Sequence, residues 1–193
     1  MYYVPYTYPY AYQNPYYASV PMYNYGRQDL YWGYPYELNY ANQYPYWPST
    51  NDRNIEMKDY GKQPFVVDIE DAAKQNRTFR TALWTGNHLQ VTLMSINVGE
   101  DIGLEVHPDV DQFLRIEEGQ GIVQMGETKD NLTFQARVSD DFAIMVPAGK
   151  WHNLTNTGNM PLKLYTIYAP PEHPFGTVHG TKAEAMAAEE NQG

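Results

Sequence analysis

Pro147-Ala-Gly-Lys-Trp-His152-Asn-Leu-Thr-Asn156 spells P-x-G-x-x-H-x-x-x-N. Proline fixes φ and glycine supplies a turn, so the pair throws one histidine inward at the start of a strand. Partners for that histidine lie upstream, in Gly103-Leu-Glu105-Val-His107-Pro-Asp-Val-Asp-Gln112-Phe, which leads into Glu118-Gly119-Gln-Gly121.

Glu105 and His107 are two residues apart, and on a strand that spacing puts both side chains on one face. Gln112 follows His107 by five, the wrong parity for that face on an uninterrupted strand. It rejoins the same cavity only if a turn or bulge between Pro108 and Asp111 resets the register. Glu105, His107, Gln112 and His152 then offer two imidazoles, a carboxylate and an amide oxygen to one divalent cation. Such a donor set suits Zn, Mn, Fe, Co or Ni and disfavours soft Cu(I). Two histidines with one carboxylate also match the arrangement that holds Fe(II) with open positions in oxygenases. Gln112 is read as a weak fourth ligand or as a group aiming a bound water. The competing reading keeps the glycine turns and leaves the barrel without a cation. A carboxylate facing the lumen argues against it, because desolvating an uncompensated charge costs several kcal/mol, on the order of 3–5.

The 193 residues suffice for one domain with a long arm. A net charge of −10 argues against nucleic acid and anionic membrane surfaces as partners. Cysteine is absent, which excludes disulfides, thiolate metal sites and a thiol nucleophile. No basic n-region and no unbroken apolar run mark a signal peptide or a membrane span, so a cytoplasmic location is the default expectation.

Residues 1–55 differ from the rest. Sixteen of the nineteen tyrosines and half of the fourteen prolines lie in the first fifty residues, where Tyr-Pro-Tyr recurs at 8–10, 34–36 and 44–46. Only Arg27, Asp29 and Glu37 carry charge there. Frequent proline blocks helix and central strand, and scarce aliphatics leave nothing to build a core. The segment reads as a low-complexity arm, disordered or extended, or as an adhesive arm that self-associates through tyrosine.

From residue 62 short apolar runs recur, punctuated by Gly, Asn and Asp. Strands are expected at 65–69, 80–84, 88–98, 102–107, 112–117, 121–125, 132–138, 142–146, 151–155 and 161–168, with a brief helical turn near Asp71–Gln75. Many short strands at this spacing indicate an all-β sandwich or barrel over residues 62–170. Residues 62–70, an edge strand in this reading, are expected to pair copies into a homodimer. Residues 171–193 form a strap and a short C-terminal helix opened by a Thr181-x-x-Glu184 capping box, a surface appendage by its composition. His173 and His179 in the strap read as a lid supplying acid–base chemistry, or as a packed connector. His88 is placed inside a strand with a structural role.

The paired stretches resemble the two motifs of the cupin superfamily, which implies a double-stranded β-helix (jelly-roll) barrel. Its first motif usually reads H-x-H and then E; here Glu105 stands where the first histidine is usual and Gln112 where the glutamate is. The end of the chain, Tyr165-Thr-Ile-Tyr-Ala-Pro-Pro-Glu-His173-Pro and Thr177-Val-His179-Gly, is similar to small single-domain cupins labelled mannose-6-phosphate isomerase-like. A phosphosugar isomerase requires a basic clamp, for which only Arg115, Lys150 and Lys163 stand near the motifs. The tyrosine-rich arm resembles those of bacterial spore-coat proteins. The resemblances imply a metal-binding protein for a small-molecule ligand, with three classes open: a dioxygenase- or isomerase-type enzyme, a ligand-binding module, or a structural coat protein.

Overall fold

A computed structural model describes residues 54–190, all within the second of the two units, Pro48–Gly193, into which the chain divides. The expected tyrosine-rich arm lies outside the described residues except for its last two positions. The elements run α1 (Ile69–Gln75), β1 (Arg80–Thr85), β2 (Gln90–Ile96), β3 (Asp111–Glu118), β4 (Gln120–Gly126) and β5 (Phe134–Ser139). β6 (Ala143–Val146), β7 (Trp151–Asn156), β8 (Leu162–Ala169), β9 (Val178–His179) and α2 (Lys182–Glu190) follow. A six-stranded sheet ordered β6-β3-β8-β2-β1-β9 faces a three-stranded sheet ordered β5-β4-β7, every pairing antiparallel.

Period-two alternation sorts the side chains of these strands. On β2, β3 and β8 one parity points between the sheets, where Met94, Ile96, Leu114, Ile116, Leu162 and Leu164 meet Val123, Val138 and Leu154 of the smaller sheet. The opposite parity of β2, with Leu83 of β1, packs outward against Ala72 and Ala73 of α1. Register places the inward residues in rows. Gln112, Tyr168 and Gln90 form one row, Leu114, Thr166 and Thr92 the next, and Ile116, Leu164 and Met94 the third. The lumen is therefore polar in its first two rows apart from Leu114, and apolar beyond them except for Arg80, which stands opposite Met94.

Most expected strands are present, and the departures have local causes. Residues 65–68 form no strand, and Asp68 instead caps α1, its carboxylate accepting from the Asp71 N–H at 3.1 Å. The expected strand exchange through residues 62–70 has no strand to use. Residues 102–107 form only the isolated bridge Glu105–His152, preceded by a second at Asp101–Thr155, instead of a ladder. Gly103 has φ +96°, and the Asp101 carboxylate takes its N–H at 2.7 Å, so the chain turns where a strand would continue. His88 sits exposed in the β1–β2 turn, not in a strand. The C-terminal helix is no appendage: Ala185 is buried in the inter-sheet core, and the Glu189 carboxylate accepts from Arg80 Nη1 at 2.9 Å.

Candidate metal centre

The Pro147–Lys150 turn is tied to the first motif by its backbone. Gly149, at φ +78°, donates its N–H to the His107 carbonyl at 2.8 Å, and the Ala148 N–H reaches the Asp111 carboxylate at 2.8 Å. Two further hydrogen bonds, Glu105 N–H to His152 O at 3.1 Å and His152 N–H to Glu105 O at 2.9 Å, lock the motifs side by side. His152 leaves the turn as the second residue of β7 and faces the lumen. Asn156 serves the framework instead: its amide donates to the Ile96 and Met160 carbonyls at 2.9 and 2.8 Å, closing the β7–β8 loop.

Glu105, His107 and His152 each present a ligand atom within 4.8 Å of the others. His107 Nε2 lies 3.4 Å from Glu105 Oε1, and His152 Nε2 lies 3.3 Å from the same oxygen. The opposite ring nitrogens are committed to acceptors. His107 Nδ1 stands 3.0 Å from a Glu172 carboxylate oxygen, and His152 Nδ1 donates to the Lys150 carbonyl at 2.9 Å. An acceptor at Nδ1 fixes the proton there, so the neutral ring turns an Nε2 lone pair toward Glu105. Two lone pairs facing one carboxylate oxygen repel unless a proton or a cation lies between them. His152 Nε2 is buried and makes no well-formed hydrogen bond among the described residues.

The electrostatics carry the same sign. Burial works to push the Glu105 carboxyl up, but its close contacts with His107 and His152 and the nearby Arg80 charge hold it well below the usual carboxylate range. Burial likewise opposes a charged His107, yet its contacts with Glu105 and Glu172 prevail and raise it to about 9. His173 is driven down to about 3, by burial first and by the Arg80 charge second, which keeps it neutral. Burial also pushes the Tyr168 phenol up, only partly offset by Arg80.

The donor set fits a divalent transition metal. Donors about 2.1 Å from a tetrahedral centre stand about 3.4 Å from one another, close to the separations between Glu105 Oε1 and the two imidazoles. Each histidine also has its outer nitrogen anchored, as metal-bound histidines do. The cluster is consistent with a metal site. Gln112 is buried in the same lumen, and neither end of its amide makes a hydrogen bond among the described residues.

The strap reaches this cluster through Glu172, whose carboxylate meets His107. Both ends of the Gln90 amide grip the His173 backbone, donating to its carbonyl at 2.9 Å and accepting its N–H at 3.0 Å. The His173 ring meets Tyr168 edge-on at 5.0 Å, and Tyr168 meets His107 at 5.5 Å. His179 lies apart on β9, paired with Arg80 through the backbone register.

Two residues of the site escaped the sequence reading. Glu172 stands in the quoted Pro-Pro-Glu-His run, one residue before a histidine that was singled out. Arg80 opens β1 on the inward parity and is 1% exposed. A charged residue in phase with Ala82 on a strand that carries no other charge was the available signal. The basic residues considered for a phosphate clamp turn elsewhere: Arg115 pairs with Glu117 and Asp141, Lys150 with Glu127, and Lys163 with the Asn76 carbonyl and Ser95.

A family model described as "Cupin domain" matches residues 92–168. The uncharacterized protein YrkC of Bacillus subtilis (strain 168) is 63% identical over 191 residues, which cover 98% of this chain and 100% of that protein. The uncharacterized protein L612 of Acanthamoeba polyphaga mimivirus is 40% identical over 117 residues, 60% of this chain and 71% of that protein. Among solved structures, BH2720 from Bacillus halodurans shares 72% identity with a TM-score of 0.67, over 67% of this chain and 98% of that one. No helix among the described residues is long and apolar enough to cross a membrane.

Proposed function

Since the chain belongs to the cupin domain family, we propose that it is a metal-binding cupin whose Glu105, His107 and His152 hold one divalent transition-metal ion, with Gln112 as an outer or fourth donor, and that it is an enzyme of dioxygenase or isomerase type acting on a small polar molecule in the lumen. One observation carries the reading: two imidazole Nε2 atoms converge on a single Glu105 oxygen at 3.4 and 3.3 Å while their outer nitrogens are anchored. When bound, the ion supplies Lewis acidity and a template for substrate oxygens. The protein supplies the rest. Glu105 provides the negative charge, Glu172 and the Lys150 carbonyl orient the rings, and the strap limits water. Tyr168, Thr166 and Thr92 offer hydroxyls to a polar guest.

Elemental analysis of the full chain purified without added metal tests the proposal. Roughly one equivalent of Zn, Mn, Fe, Co or Ni is expected, with loss in Glu105→Ala and His152→Ala. Less than about a tenth of an equivalent, unchanged by either substitution, would eliminate it.

A second role, in a spore coat or similar assembly through residues 1–55, rests on the composition of that segment alone, which holds most of the chain's tyrosines. The two roles are compatible. Sedimentation of the full chain at high concentration, compared with a chain beginning at Asn54, tests it, and identical behaviour excludes self-association through the segment.

A further inference from the structure

Arg80 is the least explained charge in the barrel. Its side chain is 1% exposed, and its ion pairs are Nη1 to Glu189 at 2.9 Å and Nη2 to Glu105 at 3.9 Å. The second is too long for a hydrogen bond. Nε is buried and has no hydrogen-bond partner among the described residues. Nε and Nη2 form one edge of the planar guanidinium, the edge that takes a carboxylate side-on through two parallel hydrogen bonds. That edge lies on the Glu105 side of the group, while Nη1 is committed to α2 on the other.

Burying a guanidinium requires anionic compensation. Glu105 supplies part of it here, but a cation at the triad claims that carboxylate. Glu189 is then the one close counter-ion among the described residues, and its side chain is 43% exposed. The neighbouring rows carry more unmet hydrogen-bonding capacity. Thr92 Oγ1 and Thr166 Oγ1 share one row, and the Gln112 amide and Tyr168 hydroxyl share the next, all four groups buried without well-formed hydrogen bonds. Leaving such groups unpaired in the interior is costly. A guest with a carboxylate for Arg80 and a hydroxyl for these rows would satisfy both needs.

We infer that the lumen binds a small hydroxycarboxylate, its carboxylate held side-on by Nε and Nη2 of Arg80 and its hydroxyl directed to the Glu105–His107–His152 centre. This rests on the metal reading for the position of the hydroxyl, but not for the carboxylate contact. Arg80 is the specificity residue: it selects an acid over a neutral molecule of the same shape.

The test uses the full chain loaded with Co(II), whose visible absorption records cobalt on nitrogen and oxygen donors. Glycolate and glycolamide, which differ only in acid against neutral amide, are titrated calorimetrically. Glycolate is expected to bind at least about tenfold more tightly. Arg80→Lys should keep the cobalt spectrum and lose that preference, because an ammonium has no two-pronged edge. Glu189→Gln, which leaves the guanidinium intact and removes its competing carboxylate, should tighten glycolate binding by roughly two- to fivefold; this variant decides the matter if Arg80→Lys fails to fold. Equal binding of glycolate and glycolamide by the cobalt-loaded chain overturns the inference and leaves the metal reading standing. Absence of a cobalt spectrum overturns the metal reading instead, and the same pair titrated against the metal-free chain then decides the part of Arg80 separately.

Discussion

Glu172→Gln removes one charge from the strap and leaves its shape nearly unchanged. The carboxylate stands 3.0 Å from His107 Nδ1, on the far side of the ring from Glu105. It fixes the tautomer and makes Nε2 a better donor. Loss of such an outer contact typically lowers metal affinity by about 10–100-fold, or about 1.4–2.8 kcal/mol at about 1.4 kcal/mol per decade. A glutamine oxygen still accepts the Nδ1 proton, so the ring stays in place and the change falls near the lower end of that range. Zn(II) titration in competition with a chromophoric chelator measures it, at constant pH and in the full chain. Glu127→Gln serves as the control, since Glu127 pairs with Lys150 at the surface and its loss should change nothing. Affinity within about twofold of wild type for Glu172→Gln would refute the argument that the strap tunes His107.

The metal-stripped chain should lose stability as pH rises. His107 is raised to about 9 in the folded protein from about 6.5 unfolded, so its contribution is whole below about pH 6.5 and disappears by about pH 9, on the order of 3 kcal/mol. Urea midpoints at the two ends should show the fall in wild type and not in His107→Gln; parallel profiles would contradict it. Leu164→Ala, at a fully buried position between the sheets, should cost about 2–5 kcal/mol in the same assay, and a change below about 1 kcal/mol would show that the lumen's apolar rows are not close-packed. Gln90→Leu should free the His173 N–H and speed its hydrogen exchange at least about tenfold, while exchange in β3 and β4 stays slow; unchanged protection at His173 would mean that the amide clamp does not hold the strap.

The strands of the barrel were legible because their signals are local: alternation along β3, β7 and β8, and glycine turns such as Gly119 with φ +94°. The convergence of Glu105, His107 and His152 was legible too, from parity and from the Pro147–Gly149 turn. Gln112 had the wrong parity in sequence; β3 begins only at Asp111, and Gln112 lies buried there in register with Tyr168, with a proposed part at the cluster. What stayed hidden depends on packing across the fold. Residues 65–69 are strand-like in composition, yet the Asp68 cap starts a helix there. Arg80 looks like any strand-initial charge until α2, more than a hundred residues later in the chain, brings Glu189 to it. Glu172 has no periodic signal, because Gln90 on a different element sets its position.

The two-part lumen has a consequence for traffic. Beyond the Thr92–Thr166 row the space between the sheets is filled by Met94, Ile96, Ile116, Leu162 and Leu164, so the barrel is a blind alley and not a tunnel. On the proposed role, a guest held in the polar rows leaves by the end at which it entered. Whatever lingers there after its turn bars the door to the next arrival.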